Sequence, residues 1–255
     1  MTARSAATAT TLAGTPVRLW DLPVRLVHWS FVVGIGLLWW SAENHRMDLH
    51  FKVGLVMLGL VVFRLLWGLV GSSTARFTSF VKGPAAIRAY LAGQKSGTAE
   101  HVVGHNPLGA LSVLALLGLL ALQIGLGLFA QDTDAVNSGP LNFLVGYDLA
   151  KEISEIHEVV FNVILAVVAL HVAAILYYRF IKHDNLVSPM ISGSRVFESE
   201  VATPRIAPLW LALVCAVLAA ALAVWVSWGL PPFATPFPWD RPAAAAAVPD
   251  ASSYM

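Results

Sequence analysis

Two histidines, His157 and His171, lie fourteen residues apart in one apolar stretch of the chain. Fourteen residues make nearly four turns of an α-helix, so both imidazoles leave the same face, roughly 21 Å apart along the axis. Such a helix crosses most of a bilayer, whose hydrocarbon core is about 30 Å thick. Ionisable side chains are costly at that depth and by default indicate function, and imidazole is a common axial ligand of haem iron. The spacing predicts two haem sites, one near each membrane face.

Two further histidines fall at matching depths in other apolar segments. His50 stands at the start of the second segment, and His28 lies a few residues into the first. Depth pairs His50 with His157 and His28 with His171, and no other pairing keeps both ligands at one level. A lone membrane histidine commonly makes only a structural hydrogen bond to a neighbouring helix. Four histidines that form two pairs, each pair at one depth in the membrane, favour haem ligation. These four are therefore the predicted axial ligands.

Smaller features near His50 agree with a buried macrocycle. Gly54 follows His50 by one turn and Gly59 is nearby, so a flat ring has room to approach the backbone, although tight helix packing explains either glycine equally well. Arg64 lies fourteen residues after His50, hence on the same face and level with the His28–His171 pair. Its guanidinium is predicted to neutralise haem propionates, with snorkelling to the membrane surface as the alternative.

Other kinds of site have weaker support. His101 and His105, four residues apart, are a candidate metal pair, but no carboxylate or thiolate cluster accompanies them, and His105 is alternatively a proton-handling group near a quinone. The single cysteine, Cys215, excludes a disulfide framework and a cysteine-ligated cluster. The sequence contains no phosphate-binding glycine loop and no nucleophile elbow. The net charge is +1 and membrane topology explains the basic loops, so no nucleic-acid partner is predicted.

Composition identifies the elements that must hold these residues. The chain of 255 residues is 57% hydrophobic and only 12% charged, with a mean hydropathy of +0.70. Soluble domains carry about 25% charged residues. Five runs approach or exceed the ~20 residues that span a bilayer, and they lack the alternation of barrel strands. The predicted fold is an all-α integral membrane protein with helices at 24–41, 51–70, 108–130, 156–178 and 206–229.

Lysine and arginine predict the orientation of these helices. Twelve of the sixteen lie on one side, before helix one, between helices two and three, and between helices four and five. The other side has Arg46, Lys52, Lys151 and Arg241. The positive-inside rule places the N-terminus in the cytoplasm and the C-terminus outside. The outer loop at 131–155 is acidic, which suits docking of a basic partner or simple solvation.

Several ordered motifs carry a family resemblance. They are Val-Arg-Leu-Trp-Asp-Leu-Pro-Val-Arg-Leu-Val-His-Trp at 17–29, Leu-His-Phe-Lys-Val-Gly at 49–54, Gly-His-Asn-Pro-Leu-Gly at 104–109, the helix with His157 and His171, and Asn-Leu-Val-Ser-Pro-Met-Ile-Ser-Gly at 185–193. Together, over about residues 16–195, they resemble the bacterial cytochrome b561 and nickel-hydrogenase b-type cytochrome family. The resemblance implies a four-helix bundle holding two haems b, with His28, His50, His157 and His171 as axial ligands.

The apolar runs, the predicted orientation and the resemblance together predict a domain organisation. Residues 1–23 form a cytoplasmic segment and residues 24–195 the four-helix cytochrome b domain. Residues 196–230 form an inner linker and a fifth transmembrane helix, and residues 231–255 a periplasmic tail rich in Pro and Ala. The fifth helix and the tail depart from the simplest pattern of the family. They are expected to anchor a partner subunit or to form a homodimer contact.

The implied function is electron transfer in the respiratory chain of a bacterial inner membrane. Members of that family move electrons between a quinone pool and a redox protein, often periplasmic, such as a c-type cytochrome, a hydrogenase or another dehydrogenase. The expected partners are therefore membrane lipid, quinone or quinol, and such a protein. Two alternatives stay open. One is a stand-alone superoxide:quinone oxidoreductase, and the other is a membrane anchor whose histidines only pack.

Overall fold

A computed structural model of the chain describes residues 10–11, 14–96, 103–132 and 136–230. The residues His101 and Arg241 and the tail 231–255, for which predictions were made above, lie outside these ranges. The described chain is mostly helical. Its α-helices are α1 Leu22–Glu43, α2 Met47–Val70, α3 Phe77–Phe80, α4 Pro84–Ser96, α5 Pro107–Phe129, α6 Tyr147–Phe180, α7 Val187–Ser192 and α8 Leu209–Ser227.

Five of these helices, α1, α2, α5, α6 and α8, are long and apolar enough to cross a membrane. They alternate in direction along the chain. One end of the bundle, called here the His28 end, therefore contains the first residues of α1, α5 and α8 and the last residues of α2 and α6. The opposite end is called the His50 end. These helices confirm the predicted all-α membrane fold.

Local sequence signals explain where two of the helices begin. Asp21 caps α1 by accepting a 2.8 Å hydrogen bond from the backbone N–H of Val24, and proline occupies the first turn. Asn106 caps α5 in the same way, accepting a 2.8 Å hydrogen bond from the N–H of Gly109. Both helices therefore start where a capping side chain and a proline precede an apolar run.

Helix α6 is longer than its apolar run. It begins at Tyr147, nine residues before the predicted start at residue 156, so the predicted outer loop 131–155 ends at Gly146. The additional segment contains Leu, Ala, Lys and Glu, which favour helix whether or not they lie in lipid. Hydropathy locates the part of α6 that suits the membrane and misses the turns that continue beyond it.

The helices pack in a chain of neighbours. Helix α1 packs on α2, α2 also contacts α5 and α8, and α5 packs along α6. Small residues of α8 face α2, where a Cβ added at Gly59 would lie 3.8 Å from the Cβ of Ala223. Small residues let membrane helices approach closely. The fifth helix therefore packs on this bundle, and Gly59 serves that packing.

Short extended segments join the termini of the helices at the His28 end. Strand β1 Thr10–Thr11 pairs with β4 Val201–Ala202, and β2 Pro16–Arg18 pairs with β3 Ser194–Val196, both antiparallel. The carbonyl of Gly193 accepts hydrogen bonds from the N–H groups of Leu19 and Trp20. Gly193 has a φ of 87°, and a Cβ there would lie 3.0 Å from the carbonyl oxygen of Trp20, so the position requires glycine.

Candidate functional site

Helices α2 and α6 bring His50 and His157 together at one end of the bundle. The centroids of the two imidazole rings lie 6.4 Å apart, and the ring planes are inclined by 70°. An imidazole nitrogen binds a metal at about 2 Å, so two rings on opposite sides of one metal ion have centroids roughly 6 Å apart. The separation of His50 and His157 therefore suits two axial ligands of a single iron.

Hydrogen bonds at Nδ1 hold both of these rings in place. Nδ1 of His157 lies 3.0 Å from the carbonyl oxygen of Gln123 in α5. Nδ1 of His50 lies 3.1 Å from the carbonyl oxygen of Leu38 and 3.3 Å from Oγ of the buried Ser41, both in α1. With Nδ1 donating its proton, each ring has Nε2 available for a metal, which is the arrangement typical of metal-binding histidines.

A cavity surrounds this pair. Its volume is about 710 Å³, within the range of ligand pockets, and it is largely apolar. Residues from four of the membrane helices line it, with a polar mouth at the His50 end. The lining includes Ile35, Leu38, Gly54, Leu120, Ile124, Gly127, Phe161 and Ile164 around the histidines, and Glu43, His45, Asp132, Asn137 and Glu158 among its polar residues.

Two glycines shape the walls of the cavity. A Cβ added at Gly127 would lie 3.1 Å from Cε1 of His157, so this glycine makes room for the ring. A Cβ added at Gly54 would meet no atom within 4 Å and would stand in the cavity space. Gly54 thus leaves the space that a flat ring needs, as its position one turn after His50 predicts.

Helices α1 and α6 bring His28 and His171 into proximity at the opposite end. The two rings are near enough to interact electrostatically. Nδ1 of His171 lies 3.0 Å from Oγ of Ser112 in α5, whereas Nδ1 of His28 is buried without a hydrogen-bond partner. The four histidines therefore form the two pairs that depth predicts, although only three of them are held at Nδ1. Their role as ligands stays a prediction.

Arg64 lies inside the bundle rather than at the membrane surface. Only 6% of its surface is exposed, so it does not snorkel to solvent. Its guanidinium carbon lies 5.1 Å from the centre of the Phe77 ring, and its Nη1 is buried with no hydrogen-bond partner. A buried cation with an unused donor is expected to bind an anionic group. The unused Nη1 donor is compatible with binding a carboxylate, and the propionate role of Arg64 stays a prediction.

A polar cluster that sequence reasoning missed lies close to Arg64. The buried carboxylate of Asp21 accepts a 2.9 Å hydrogen bond from Nε1 of Trp67, in addition to its capping bond. The His105 ring lies 4.6 Å from the rings of both Trp20 and Phe80. Burial, and after it the Arg64 cation, lower the pKa of His105 to about 3. His105 is neutral at ordinary pH, which does not favour a proton-handling role.

Sequence reasoning also missed the groups that orient the histidines. Ser41 and Ser112 are polar residues within apolar helices, and that contrast is a usable signal. The carbonyls of Leu38 and Gln123 leave no signal, because every residue has one. Among the described residues, no group of three or more His, Cys, Asp or Glu side chains is placed to hold a metal ion. The geometry of His50 and His157 is compatible with haem nonetheless, since a porphyrin supplies the other iron ligands.

Comparison with known families identifies the chain. The family model described as prokaryotic cytochrome b561 matches residues 19–193, which include α5 and the three helices that carry the paired histidines, α1, α2 and α6, and end before α8. No curated protein and no solved structure matches the chain. The matched range covers well over half of the sequence, so the chain belongs to the prokaryotic cytochrome b561 family of multi-pass membrane proteins that transfer electrons through b-type haem.

Proposed function

We propose that this cytochrome holds two b-type haems and passes electrons along the bundle between a periplasmic redox protein and membrane quinone. His50 and His157 ligate one haem, and His28 and His171 ligate the other. The observation that carries the proposal is the His50–His157 pair, whose rings lie 6.4 Å apart beside a cavity of about 710 Å³. Both rings are oriented through Nδ1, so Nε2 of each is left for iron.

The residues around the pairs contribute orientation, exclusion of water and charge. Bound haem supplies a carrier of one electron at a time. The largely apolar cavity wall would limit water around a bound haem, and the Nδ1 hydrogen bonds would orient the imidazoles of His50 and His157 that hold it. Arg64 binds a propionate at the His28 end through its unused Nη1 donor. These residues together would tune the reduction potential of each haem.

The electron balance requires two partners. Reduction of one quinone to quinol takes up two electrons and two protons, so a one-electron donor must be oxidised twice for each quinone reduced, and the reverse holds for quinol oxidation. An electron that crosses the whole membrane works with or against about 2.3 kcal/mol per 100 mV. In the proposed orientation, which follows the positive-inside rule, the His50 end lies at the periplasm of a bacterial inner membrane.

The mouth of the cavity favours a basic partner at the His50 end. Glu43, Asp132 and Glu158 line the cavity, and its lining contains no lysine or arginine. Opposite charge steers association and raises on-rates at low salt. A c-type cytochrome, hydrogenase or other dehydrogenase with lysines around its electron exit fits this mouth. The same carboxylates repel an anion such as superoxide, so the stand-alone superoxide:quinone oxidoreductase is the less favoured function.

The test is haem reduction and re-oxidation followed in one cuvette. Oxidised, purified protein is mixed with a reduced, lysine-rich c-type cytochrome of low potential, and a short-chain quinone is then added. We expect reduction of the haem bands, at a rate that falls as salt rises, followed by re-oxidation by quinone. Glu43→Gln and Glu158→Gln should slow the first phase, and Glu200→Gln, an exposed carboxylate at the His28 end, should leave it unchanged. Haem bands that respond to neither quinone nor quinol would overturn the proposal.

A further inference from the structure

Helix α4 lies at the His28 end of the bundle and does not cross the membrane. Its 13 residues extend roughly 20 Å, which is too short for a hydrocarbon core about 30 Å thick. The hydroxyl of Tyr90 in α4 lies 2.9 Å from the hydroxyl of Tyr178, near the end of α6. Asn106, the residue that caps α5, donates to the same Tyr178 hydroxyl at 3.4 Å. These contacts hold α4 at the level where the membrane helices end.

The two sides of α4 differ in character. Tyr90 and Gln94, one turn apart, belong to the side that contacts the bundle, and Nε2 of Gln94 donates a 2.9 Å hydrogen bond to the Tyr90 hydroxyl. Arg88 is exposed, and Leu91, three residues later and so on the same side, is 42% exposed. An exposed apolar side chain beside a cation is typical of a helix that lies in the headgroup region of a bilayer.

Four exposed cations surround this helix. Lys82 precedes α4 and Arg88 lies within it, and the Tyr90–Tyr178 contact brings the end of α6, with Arg179 and Lys182, next to it. Among the described residues, no carboxylate forms an ion pair with any of the four. Residues 81–96 contain no Asp or Glu. Membrane topology explains why cations occur at this end, but it does not require that they surround a helix with an exposed leucine.

We propose that α4 and these four cations, called here the α4 surface, bind anionic phospholipids of the adjoining leaflet. The lipid phosphates lie against the cations, and the acyl chains lie against Leu91 and Val81, which are 42% and 41% exposed. Basic residues close to an anionic membrane surface are attracted to it, and each one adds to the affinity. The proposal does not depend on haem, because none of these residues belongs to either histidine pair or lines the cavity at the His50 end.

The test is native mass spectrometry of the purified full chain, released from detergent after titration with lipid. Phosphatidylglycerol should bind at least tenfold more tightly than phosphatidylcholine with the same acyl chains. Inorganic phosphate in tenfold excess should not displace it, because phosphate alone has no acyl chain to contact Leu91. Equal affinity for the two lipids, or displacement by inorganic phosphate, would overturn the proposal.

Charge variants then locate the binding. Lys82→Gln/Arg88→Gln should weaken binding of phosphatidylglycerol about 30-fold, roughly fivefold for each cation. The matched control is Arg46→Gln/Lys151→Gln, which removes two exposed cations at the His50 end and should leave this binding unchanged. A loss no larger than that of the control would overturn the proposal.

A third variant tests the apolar part of the α4 surface. Leu91→Ala keeps every cation and a residue that favours helix, and it removes most of the exposed apolar side chain. It should weaken binding of phosphatidylglycerol a few-fold, with an unchanged melting temperature in lipid-free detergent. Wild-type affinity in Leu91→Ala would contradict the proposed contact with acyl chains.

Discussion

The two ends of the bundle are built in opposite ways. At the His28 end, paired strands, the Gly193 turn and the cluster around Asp21 and Arg64 close the helix termini. At the His50 end, a cavity of about 710 Å³ with a carboxylate-lined mouth lies beside the paired imidazoles. An open, acidic end suits exchange with a soluble partner, and a closed end suits exchange with a carrier that stays within the membrane. The two ends are therefore suited to different exchange partners.

Arg64→Met gives the largest expected effect. The variant distinguishes a guanidinium that binds a haem propionate from one without an anionic partner, because the first predicts loss of haem and the second predicts a more stable protein. If the guanidinium binds a haem propionate, losing this charge-assisted bond weakens haem retention there by about 1.5–3 kcal/mol, or roughly 10- to 100-fold. The measurement is haem per chain after gel filtration. If Arg64 has no anionic partner, removing a buried and unpaired cation should instead stabilise the protein. Unchanged haem content together with a higher melting temperature would contradict the propionate role.

Acidification should weaken the His28 end through His105. Its pKa is about 3 in the folded protein, against the ordinary 6.5. Below pH 6.5 the unfolded chain binds a proton that the folded chain does not, so stability is full above that pH and falls as the pH drops toward 3. We expect the titration of His105 to lower the free energy of unfolding by about 2 kcal/mol between pH 7 and pH 5.

The measurement is thermal unfolding in detergent, followed by circular dichroism between pH 5 and pH 8. His105→Phe keeps a ring of similar size between Trp20 and Phe80 and removes the titrating group. The variant should lose most of the pH dependence. An unchanged slope in His105→Phe would show that other groups cause it.

Gly54→Ala tests whether a flat cofactor occupies the cavity at the His50 end. In the protein alone, a Cβ at Gly54 or at the exposed Gly118 meets no atom within 4 Å. Either alanine should then stabilise its helix by about 0.5–1 kcal/mol. With haem against Gly54, the added methyl group overpacks the site by about 1–3 kcal/mol. Haem occupancy at the His50 end should fall in Gly54→Ala and stay unchanged in the control Gly118→Ala, and equal occupancy would place the ring elsewhere.

Two serine variants give the smallest expected effect. Ser112→Ala removes the partner that His171 has at Nδ1, which should loosen that ring by about 1 kcal/mol. Ser41→Ala should have less effect, because His50 keeps the carbonyl of Leu38. Low-temperature electron paramagnetic resonance of the oxidised haems measures ligand orientation at each site. A larger change in Ser41→Ala would reverse the comparison between the two ends.

Much of the fold can be predicted from hydropathy, because each helix that spans a bilayer must be apolar over a fixed length. The apolar runs locate α1, α2, α5 and α8 within a few residues of their ends, since a membrane span needs a fixed length of apolar chain. Hydropathy does not predict that α6 begins as early as Tyr147, because the first turns of this helix form through the helix propensity of their residues and are not apolar. The pairing of β2 with β3 joins segments nearly 180 residues apart, and such long-range contacts leave no local pattern.

The sequence likewise predicts part of the candidate site and misses the rest. Helix period and depth alone predict which histidines face each other, because both are set by rise per residue. The acceptors at Nδ1 could not be predicted, since the carbonyls of Leu38 and Gln123 carry no side-chain signal. The hydrogen bonds of Asp21 and the burial of Arg64 depend on tertiary packing around Trp67 and Phe77, which no spacing rule provides.

The central claim is one b-type haem at each histidine pair. The most direct measurement is the pyridine haemochrome of purified, haem-supplied wild type, His157→Ala and His171→Ala, with the exposed His183→Ala as control. We expect two haems b per chain in wild type and in His183→Ala, and one in each of the other two variants. One haem in folded wild type, or the loss of both haems from a folded single variant, would contradict it.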